Sequence, residues 1–485
     1  ADNDLVVQTG SMYGGVPRAA GSAAGGASFL LDRGAKVNHF NYFANPTTVD
    51  GIVGALLENA PPAFAAIGPL SWRGESAEGT RGGVPANDPT RPAVFVLPGI
   101  LGSNLKVGDK RVWLGFAFLN GLLQLRWDPA TADNVQPDGP VKGSYEGLID
   151  RLAETHAVFP FAFDWRRPIE DEAKRLAAAV DAQLDARAAS GQPVRIVAHS
   201  MGGLVARTMQ IVSPATWNRL MAHADARLLM LGVPNGGSWA PMQILSGDDN
   251  FGNALVAFGS LFHNGEARRM MAGMPGLLEM QAGLLDPAWG LGSAEKWEAL
   301  VKADKDALAA RSTWHQLEAQ KAVYDWSAPP QQVLDAATSL RRKLDDQVAA
   351  LGDTKSKIVL VVGRAPFTPT GYALDGGVGL EYTGSADAGD GRVTYESAMQ
   401  LGVPTWKLDA EHGKLPAVSQ AWAAYVELLT TGKTKQLDAF AAPSRGAAAA
   451  PLAAVVRSRP SRGLLGSQPP SSDADVFGAS SAADQ

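Results

Sequence analysis

The sequence has no cysteine among its 485 residues, which excludes disulfide bonds, thiolate nucleophiles and cysteine-ligated metals. It also lacks a long apolar run. One of its most apolar stretches, residues 51–70, is interrupted by Glu58 and Pro61, so no transmembrane segment is predicted. The net charge of −6 argues against a nucleic-acid-binding surface, which needs a basic face to neutralise phosphates. No metal-ligand spacing appears, and neither a metal nor another cofactor is expected.

The composition is that of a folded protein, with 46% hydrophobic and 19% charged residues. Its length exceeds what one compact core usually holds, so we expect either one elaborated domain with extra segments or two domains. The chain starts at Ala1 without a leader-like segment, and the sequence leaves the compartment unknown.

Both ends of the chain differ in composition from its middle. Residues 1–45 contain Asp4 and His39 in a pattern that echoes a later stretch, and one hypothesis makes this segment the remnant of an upstream hydrolase domain. The alternative is a polar extension with a chance echo. Residues 46–90, rich in proline and glycine, are predicted to be a linker with one short helix, and residues 433–485 a low-complexity tail.

Strand-like and helix-like patterns alternate along residues 91–235. A buried strand is predicted from Ala157, Pro168 opens a helix with an acidic first turn, and a second buried strand follows, as in a parallel sheet. Residues 236–355 change to long helical patterns and are predicted to form an inserted helical cap, after which the core resumes over residues 356–432. The predicted fold class is therefore α/β, with a mostly parallel sheet, helices on both faces and a cap.

The segment at residues 198–203, Ala-His-Ser-Met-Gly-Gly, follows one of these buried strands and leads into a helix. A strand, sharp turn and helix around small-Xaa-Ser-Xaa-Gly is typical of a nucleophile elbow, which presents the Ser200 hydroxyl. Residues two positions away must be small, because strand and helix nearly touch there, and Ala198 and Gly202 are small. The alternative is an ordinary serine at a glycine-rich helix start.

Two further polar residues follow the serine in the order of an α/β-hydrolase catalytic triad. Asp390 lies at the end of a predicted glycine-rich loop, residues 364–391, and His412 follows the last predicted strand. In a parallel sheet the carboxyl ends of the strands share one edge, where distant residues can meet. Asp375 and Asp387 are rival acids in the same loop, and Asp390 is preferred because it lies in a tight turn between two glycines.

The remaining site predictions concern the oxyanion and the substrate. Backbone N–H groups of Ile100 and Met201 are predicted to stabilise the oxyanion, because a glycine-rich turn at a strand end exposes such donors. Leu101 in that turn and Trp113 in an apolar stretch are candidates for substrate contact, with core packing as the alternative. His199 adjoins the nucleophile and is expected to point away from it.

Five ordered motifs resemble the lecithin:cholesterol acyltransferase family and the related lysosomal phospholipases. They are residues 98–104 (Pro-Gly-Ile-Leu-Gly-Ser-Asn), 163–166 (Phe-Asp-Trp-Arg), 198–203 (Ala-His-Ser-Met-Gly-Gly), 389–393 (Gly-Asp-Gly-Arg-Val) and 411–412 (Glu-His). The resemblance covers roughly residues 93–430. It implies an α/β-hydrolase core with a cap, acting on acyl esters of lipids through an acyl-serine.

Carried over residue by residue, the resemblance gives Ser200, Asp390 and His412 the triad positions, and Ile100 and Met201 the oxyanion positions. The expected partner is an acyl-ester or lipid substrate, and the resemblance allows transient contact with a membrane or lipid surface. Family members usually have disulfides in the cap region, which this chain cannot form. The predicted function is a lipase, phospholipase or carboxylesterase; the alternatives are an acyltransferase, a peptidase or amidase, and a catalytically silent binding module.

Overall fold

The structure is a computed structural model. It describes residues 28–29, 45–57, 65–66, 88–108, 110–113, 122–128, 134–141, 143–248, 264–311, 326–375, 379–385, 387–441 and 455–457. Asp4 and His39, on which the hypothesis of an upstream domain remnant depends, lie outside these residues.

The strands of the described residues are mostly short. They are β1 (Ser28–Phe29), β2 (Ala65–Ala66), β3 (Ala93–Leu97), β4 (Ser103–Val107), β5 (Lys110–Arg111), β6 (Val135–Pro140), β7 (Ala157–Pro160), β8 (Val194–His199), β9 (Arg227–Leu231), β10 (Ile358–Val362), β11 (Thr368–Asp375), β12 (Gly379–Ser385), β13 (Thr405–Lys407), β14 (Asp438–Ala439) and β15 (Val455–Arg457).

The α-helices range from single turns to more than five turns. They are α1 (Pro46–Leu57), α2 (Glu146–Ala153), α3 (Ile169–Ala186), α4 (Met201–Val212), α5 (Pro214–Ala222), α6 (Ala240–Ser246), α7 (Asn264–Ala272), α8 (Pro275–Leu278), α9 (Ala294–Arg311), α10 (Gln331–Ala350), α11 (Tyr395–Ala398) and α12 (Trp422–Thr431). None of the helices in the described ranges is both long and apolar enough to cross a bilayer.

The central element is a seven-stranded sheet in the order β14-β13-β10-β9-β8-β3-β7. All neighbours pair in parallel except β13 and β14, which are antiparallel. From β3 the chain passes to β7 on one side and then back to β8 on the other. The strand order therefore reverses between β3 and β8, and at such a switch point the outgoing loops separate and leave a crevice at the carboxyl edge. The α/β fold class predicted from the sequence is confirmed.

Alternation along the strands explains why both faces of the sheet are covered. In β3, Phe95 and Leu97 pack into one apolar cluster with Leu204 of α4, whereas Val94 and Val96 pack into another with Leu148 of α2. Successive side chains of a strand point to opposite faces, so an all-apolar strand needs helices on both sides.

The described part of residues 236–355, the segment predicted to be a cap and called the cap from here on, contains helices α6 to α10 and is hydrogen-bonded to its neighbours. In α9, the buried Asp304 accepts hydrogen bonds from Leu380 N in β12 and from Trp326 Nε1, both at 2.9 Å. In α10, the carbonyl of Leu344 accepts a hydrogen bond from Arg207 of α4 at 2.6 Å. The cap thus contacts the core through α4 and contacts the later part of the chain through β12.

The prediction of one glycine-rich loop over residues 364–391 was wrong in part. That stretch contains β11 and β12, an antiparallel pair that packs on cap helix α9. Tyr372 and Tyr382 lie directly opposite each other across the pair, and aromatic residues favour strands. In the sequence, the glycines of this stretch outweighed that signal and led to the prediction of a loop. Within the predicted tail, β14 pairs with β13 and β15 pairs with β12, so parts of that segment belong to sheets.

Candidate active site

Ser200 lies directly after β8, at the point where the strand order reverses. Its backbone has φ 51° and ψ −126°, a conformation that is costly for a residue with a side chain. The turn is fixed from both sides, because Ser200 N donates to Leu231 O at 2.9 Å and Ser200 O accepts from Gly203 N at 2.9 Å. The strain holds the hydroxyl clear of the helix that begins at Met201.

Small residues allow the strand and the helix to approach at this turn. A Cβ on Gly202 would lie 2.5 Å from Pro98 O, and one on Gly203 would lie 2.2 Å from a methyl carbon of Val233. Ala198, two residues before the serine, is fully buried. The two glycines therefore let the start of α4 approach the segments that follow β3 and β9, as the small residues of the motif require.

His412 places its imidazole between Ser200 and Asp390. Its Nε2 lies 2.8 Å from Ser200 Oγ, and its Nδ1 lies 2.8 Å from Asp390 Oδ2. Its backbone is tied to the same acid, because His412 N donates to Asp390 O at 2.9 Å. The structure thus brings together three side chains spread over residues 200–412.

Asp390 is held by its own turn. Its Oδ1 accepts hydrogen bonds from Arg392 N at 3.0 Å and Val393 N at 2.7 Å, so Oδ2 is the oxygen directed at the imidazole. The carboxylate is 3% exposed. Gly391 has φ 96°, which a side chain would not tolerate easily, and it lets the chain reverse directly after the acid.

Two glycines at strand ends make room for this pair, and sequence reasoning did not single them out. A Cβ on Gly232, after β9, would lie 2.9 Å from Asp390 Oδ2 and 3.1 Å from His412 Nδ1. A Cβ on Gly363, after β10, would lie 2.9 Å from Asp390 Cβ. A glycine directly after a buried strand was the available signal.

The rival acids are placed differently. Asp387 forms an ion pair with Arg364 at 2.5 Å, and more than half of its side chain is exposed. Asp375 is the last residue of β11, in the hairpin that packs on the cap. Asp390, the acid preferred from the sequence, is hydrogen-bonded to His412.

The turn after β3 is the candidate oxyanion loop. Gly102 N donates to Gly99 O at 3.1 Å, closing a four-residue turn that contains Ile100 and Leu101. Leu101 has φ 62°, an uncommon backbone conformation for leucine, and its carbonyl accepts a hydrogen bond from Trp113 Nε1 at 2.9 Å. Met201, the other predicted donor, is the first residue of α4, where N–H groups have no acceptor within the helix.

Trp113 is fully buried and packs edge-on against Trp165 with ring centroids 5.0 Å apart. Trp165 Nε1 in turn donates to Ser103 O at 3.3 Å. These contacts fix the position of the oxyanion loop. Leu101 and Trp113 also border the cavity beside Ser200, so their predicted contact with substrate stays a prediction.

A cavity of about 150 Å³ opens beside the Ser200 hydroxyl, and its wall is mostly apolar. The oxyanion loop forms one side and His412 another. Apolar side chains from the core and the start of the cap complete it; they include Val141, Pro234, Ala240, Ile244, Met280 and Val393. Such a wall suits a hydrocarbon chain, with polar groups only near the serine.

His199 and Tyr145 were missed as site residues. The His199 ring does not simply point away from the site. It packs against the His412 ring with centroids 4.9 Å apart, and its Nδ1 lies 2.8 Å from Tyr145 Oη. A buried histidine beside a nucleophile was the only available signal, and no local pattern marks Tyr145.

Other polar groups lie away from the serine. His156 bonds with Arg195 at 2.9 Å, and burial lowers the pKa of its imidazole to about 4. His223 bonds with Gly191 O at 3.0 Å. His263 and His315 lie outside the described residues. Across the part of the chain that the structure describes, no three histidine, aspartate or glutamate side chains gather as metal ligands would.

Comparisons with known proteins give matches of limited extent. Residues 148–280 match the family model "Lecithin:cholesterol acyltransferase". The chain is 34% identical over 128 residues to a phosphatidylcholine-sterol acyltransferase of Rattus norvegicus, covering 25% of this chain. The match spans 28% of the length of that relative.

Three solved structures show weak similarity. The Tle4-Tli4 complex aligns at 14% identity and TM-score 0.42, over 70% of this chain and 98% of the other. The mature lipase BlEst2 of Bacillus licheniformis aligns at 14% and TM-score 0.32, over 71% and 94%. Phospholipase PlaB of Legionella pneumophila aligns at 12% and TM-score 0.28, over 64% and 45%.

The segment matched by the family model includes β8, the Ser200 turn and the start of the cap. The resemblance seen in the sequence motifs is thus confirmed for this segment: residues 148–280 match the model of the lecithin:cholesterol acyltransferase family, and a curated acyltransferase is similar over 128 residues.

Proposed function

We propose that the protein is a serine ester hydrolase that cleaves acyl esters of lipids through an acyl-serine intermediate. The observation that carries this proposal is the unbroken hydrogen-bonded series from Ser200 Oγ through His412 to Asp390, with both contacts at 2.8 Å, beside an apolar cavity. Such a series turns a weakly nucleophilic hydroxyl into an attacking group.

The direction of each hydrogen bond follows from the acid. A carboxylate can only accept, so His412 Nδ1 carries the hydrogen and Nε2 is free to accept the Ser200 proton. As Oγ bonds to the ester carbonyl carbon, its proton moves to Nε2, and His412 then gives it to the leaving alcohol. A water molecule repeats the sequence to release the fatty acid.

We assign to the N–H groups of Ile100 and Met201 the stabilisation of the negative charge that forms on the carbonyl oxygen. Ile100 borders the same cavity as Ser200, and Met201 N lies at the start of α4, where the helix dipole also favours an anion. One such donor is worth about 3 kcal/mol in other acyl-transfer enzymes.

The lipid character of the substrate is inferred from the cavity and from the relatives. The cavity wall is mostly apolar, and the curated relative is named for transfer from phosphatidylcholine to a sterol. We assign residues 236–355 to the cap that covers the site, because Ala240, Ile244 and Met280 of that segment border the cavity. Contact with a lipid surface belongs to the same proposal.

Transfer of the acyl group to an alcohol is the second candidate, favoured by the name of the curated relative. Hydrolase and transferase share the acyl-serine and differ in which nucleophile reaches it. Product analysis with a long-chain ester, with and without an added sterol or simple alcohol, separates them. A new ester that grows with acceptor concentration supports transfer, and free fatty acid alone supports hydrolysis.

The test of the proposal is a series of p-nitrophenyl esters of increasing acyl length, assayed with the wild type and with Ser200→Ala. We expect a preference for long acyl chains and a loss of kcat/KM of about a thousandfold or more in the variant. Ser190→Ala is the matched control. Ser190 lies in the segment after α3, where its Oγ donates to Pro89 O at 2.6 Å. Hydrolysis that survives in Ser200→Ala would contradict the proposal.

A further inference from the structure

A hydrogen-bonded chain of buried groups beside Ser200 links Gly99 to the backbone of His412. Gly99 N donates to Tyr145 Oη at 2.8 Å, Tyr145 Oη lies 2.8 Å from His199 Nδ1, and His199 Nε2 lies 3.0 Å from the carbonyl oxygen of His412. Tyr145 is 4% exposed and His199 is 6% exposed. None of these contacts takes part in the proton transfer proposed above.

The carbonyl at one end fixes the direction of the whole chain. A carbonyl oxygen only accepts, so His199 Nε2 carries the hydrogen and Nδ1 must accept from the Tyr145 hydroxyl. The Tyr145 oxygen is then the acceptor for Gly99 N–H. Burial lowers the pKa of the His199 imidazole to about 3, with the nearby His412 as a second cause, and burial raises the pKa of the Tyr145 hydroxyl. Both groups are therefore neutral at ordinary pH, as these bonds require.

The two ends of this chain belong to the two halves of the site. Gly99 begins the turn that contains Ile100, and His412 holds the imidazole that takes the serine proton. Gly99 also lies close to Ser200 and His199: a Cβ on Gly99 would lie 2.9 Å from Ser200 Cβ and 3.1 Å from His199 Nδ1. The Tyr145 hydroxyl holds the Pro98–Gly99 peptide through Gly99 N–H, and Gly102 N holds the next peptide, which carries Ile100 N–H, through Gly99 O at 3.1 Å.

We propose that Tyr145 and His199 are positioning residues for the acyl-transfer chemistry at Ser200, because their hydrogen bonds fix the backbone of His412 relative to the oxyanion loop. This inference rests on the proposed function. The bonds contribute in the transition state, when the imidazole and the N–H groups must be aligned together, so their loss lowers kcat more than it raises KM.

A pair of variants at residue 199 separates hydrogen bonding from packing. Glutamine and methionine have side chains of nearly the same length, but only glutamine can both donate and accept. We expect His199→Met to lower kcat about tenfold or more, with KM within about twofold, and His199→Gln to recover most of the loss. Equal kcat values in the two variants would overturn the proposal.

A second pair tests the tyrosine. Tyr145→Phe keeps the ring and removes the hydroxyl, and we expect kcat to fall about tenfold. Tyr382→Phe is the matched control: its ring is also 4% exposed, and its hydroxyl bonds with Ser246 Oγ at 3.0 Å. We expect that control to change kcat by less than about twofold. If the two tyrosine variants lose kcat equally, Tyr145 has no positioning role.

The double variant Tyr145→Phe/His199→Met shows whether the residues act as one chain. If they do, it loses no more activity than His199→Met alone, because either change already breaks the chain. Losses that multiply would contradict a single chain. Tyr145→Phe carries the test if His199→Met does not fold, as thermal melting will show.

Ser200→Ala is assayed in parallel, so that the two proposals can fail separately. Activity that survives in Ser200→Ala would contradict the proposed function itself. Activity that is lost in Ser200→Ala but unchanged in Tyr145→Phe and His199→Met would contradict only the positioning role.

Discussion

At the scale of single residues, the two oxygens of Asp390 have different partners. Oδ1 is engaged by the backbone of the following turn, and Oδ2 by the imidazole of His412. The backbone bonds hold the carboxylate in place, so it can select which imidazole nitrogen carries the hydrogen. In the proposed mechanism, this selection leaves Nε2 free to act as base.

Replacing the acid by its amide tests that selection. In Asp390→Asn the amide can donate to Nδ1, which would place the hydrogen on Nε2 and prevent it from accepting the serine proton. We expect kcat to fall about 10³- to 10⁴-fold, the range known for this change in another serine hydrolase triad. Steady-state kinetics on the preferred p-nitrophenyl ester measures it.

The control for this prediction is a nearby acid in the same part of the chain. Asp387→Asn removes an exposed ion pair with Arg364 and leaves the His412 contact intact. We expect kcat within about twofold of wild type. Equal losses in the two variants would show that Asp390 has no special role.

At the scale of elements, Glu279 joins the cap to the core. It follows α8 and accepts a hydrogen bond from Ile169 N, the first residue of α3, at 2.7 Å. It is 2% exposed. Burial raises the pKa of its carboxyl to about 8, and the nearby acids Glu170 and Asp171 add to the shift. The junction between cap and core therefore holds a protonated carboxyl at neutral pH.

This pKa predicts a pH dependence of stability. The unfolded chain loses the Glu279 proton near pH 4.5, whereas the folded chain keeps it up to about pH 8. The stabilisation is thus fully present below pH 4.5 and is lost as pH rises through about 8. The slope for one proton is about 1.4 kcal/mol per pH unit.

Glu279→Gln keeps an acceptor for Ile169 N and cannot ionise. We expect the free energy of unfolding, measured with urea, to decline less steeply between pH 5 and 8 in this variant than in wild type. The difference in free energy between the two proteins should grow as pH rises. Asp185→Asn, which removes an exposed ion pair with Arg219 near the other end of α3, serves as control. A pH profile unchanged in Glu279→Gln would show that Glu279 is not protonated in the folded protein.

At the scale of the whole molecule, Arg207 connects the elbow helix to the cap. It is fully buried and donates to Gln347 Oε1 at 3.0 Å, to Leu344 O at 2.6 Å and to Asn235 Oδ1 at 3.0 Å. A buried charge with so many partners cannot be removed without leaving acceptors unpaired. The cap and the core should therefore unfold together.

Arg207→Met tests this connection. We expect the free energy of unfolding to fall by about 3 kcal/mol, because several buried acceptors lose their donor. In wild type, tryptophan fluorescence and far-UV circular dichroism should give one coincident urea transition. Arg342→Met, on the exposed side of α10, should change stability by less than about 0.5 kcal/mol. Separate cap and core transitions in wild type would contradict the prediction.

Much of the architecture follows from local pattern. The apolar strands β3, β8, β9 and β10 alternate between two buried faces, and the long helices α9 and α10 lie within the segment where the sequence shows long helical patterns. The hairpin of β11 and β12 was missed because its stability comes from packing on the cap, which no short window of sequence contains.

The sequence by itself determined the turn that presents Ser200, since a small residue on either side of a strained serine is a local requirement. It also determined the fold class, because alternation and periodicity are local too. The sequence favoured Asp390 among three acids, the tertiary structure decided which of them bonds with His412, and it alone placed Tyr145 against His199. Those pairings join residues 22 and 54 positions apart, and the distances between them depend on how the whole sheet and its loops pack.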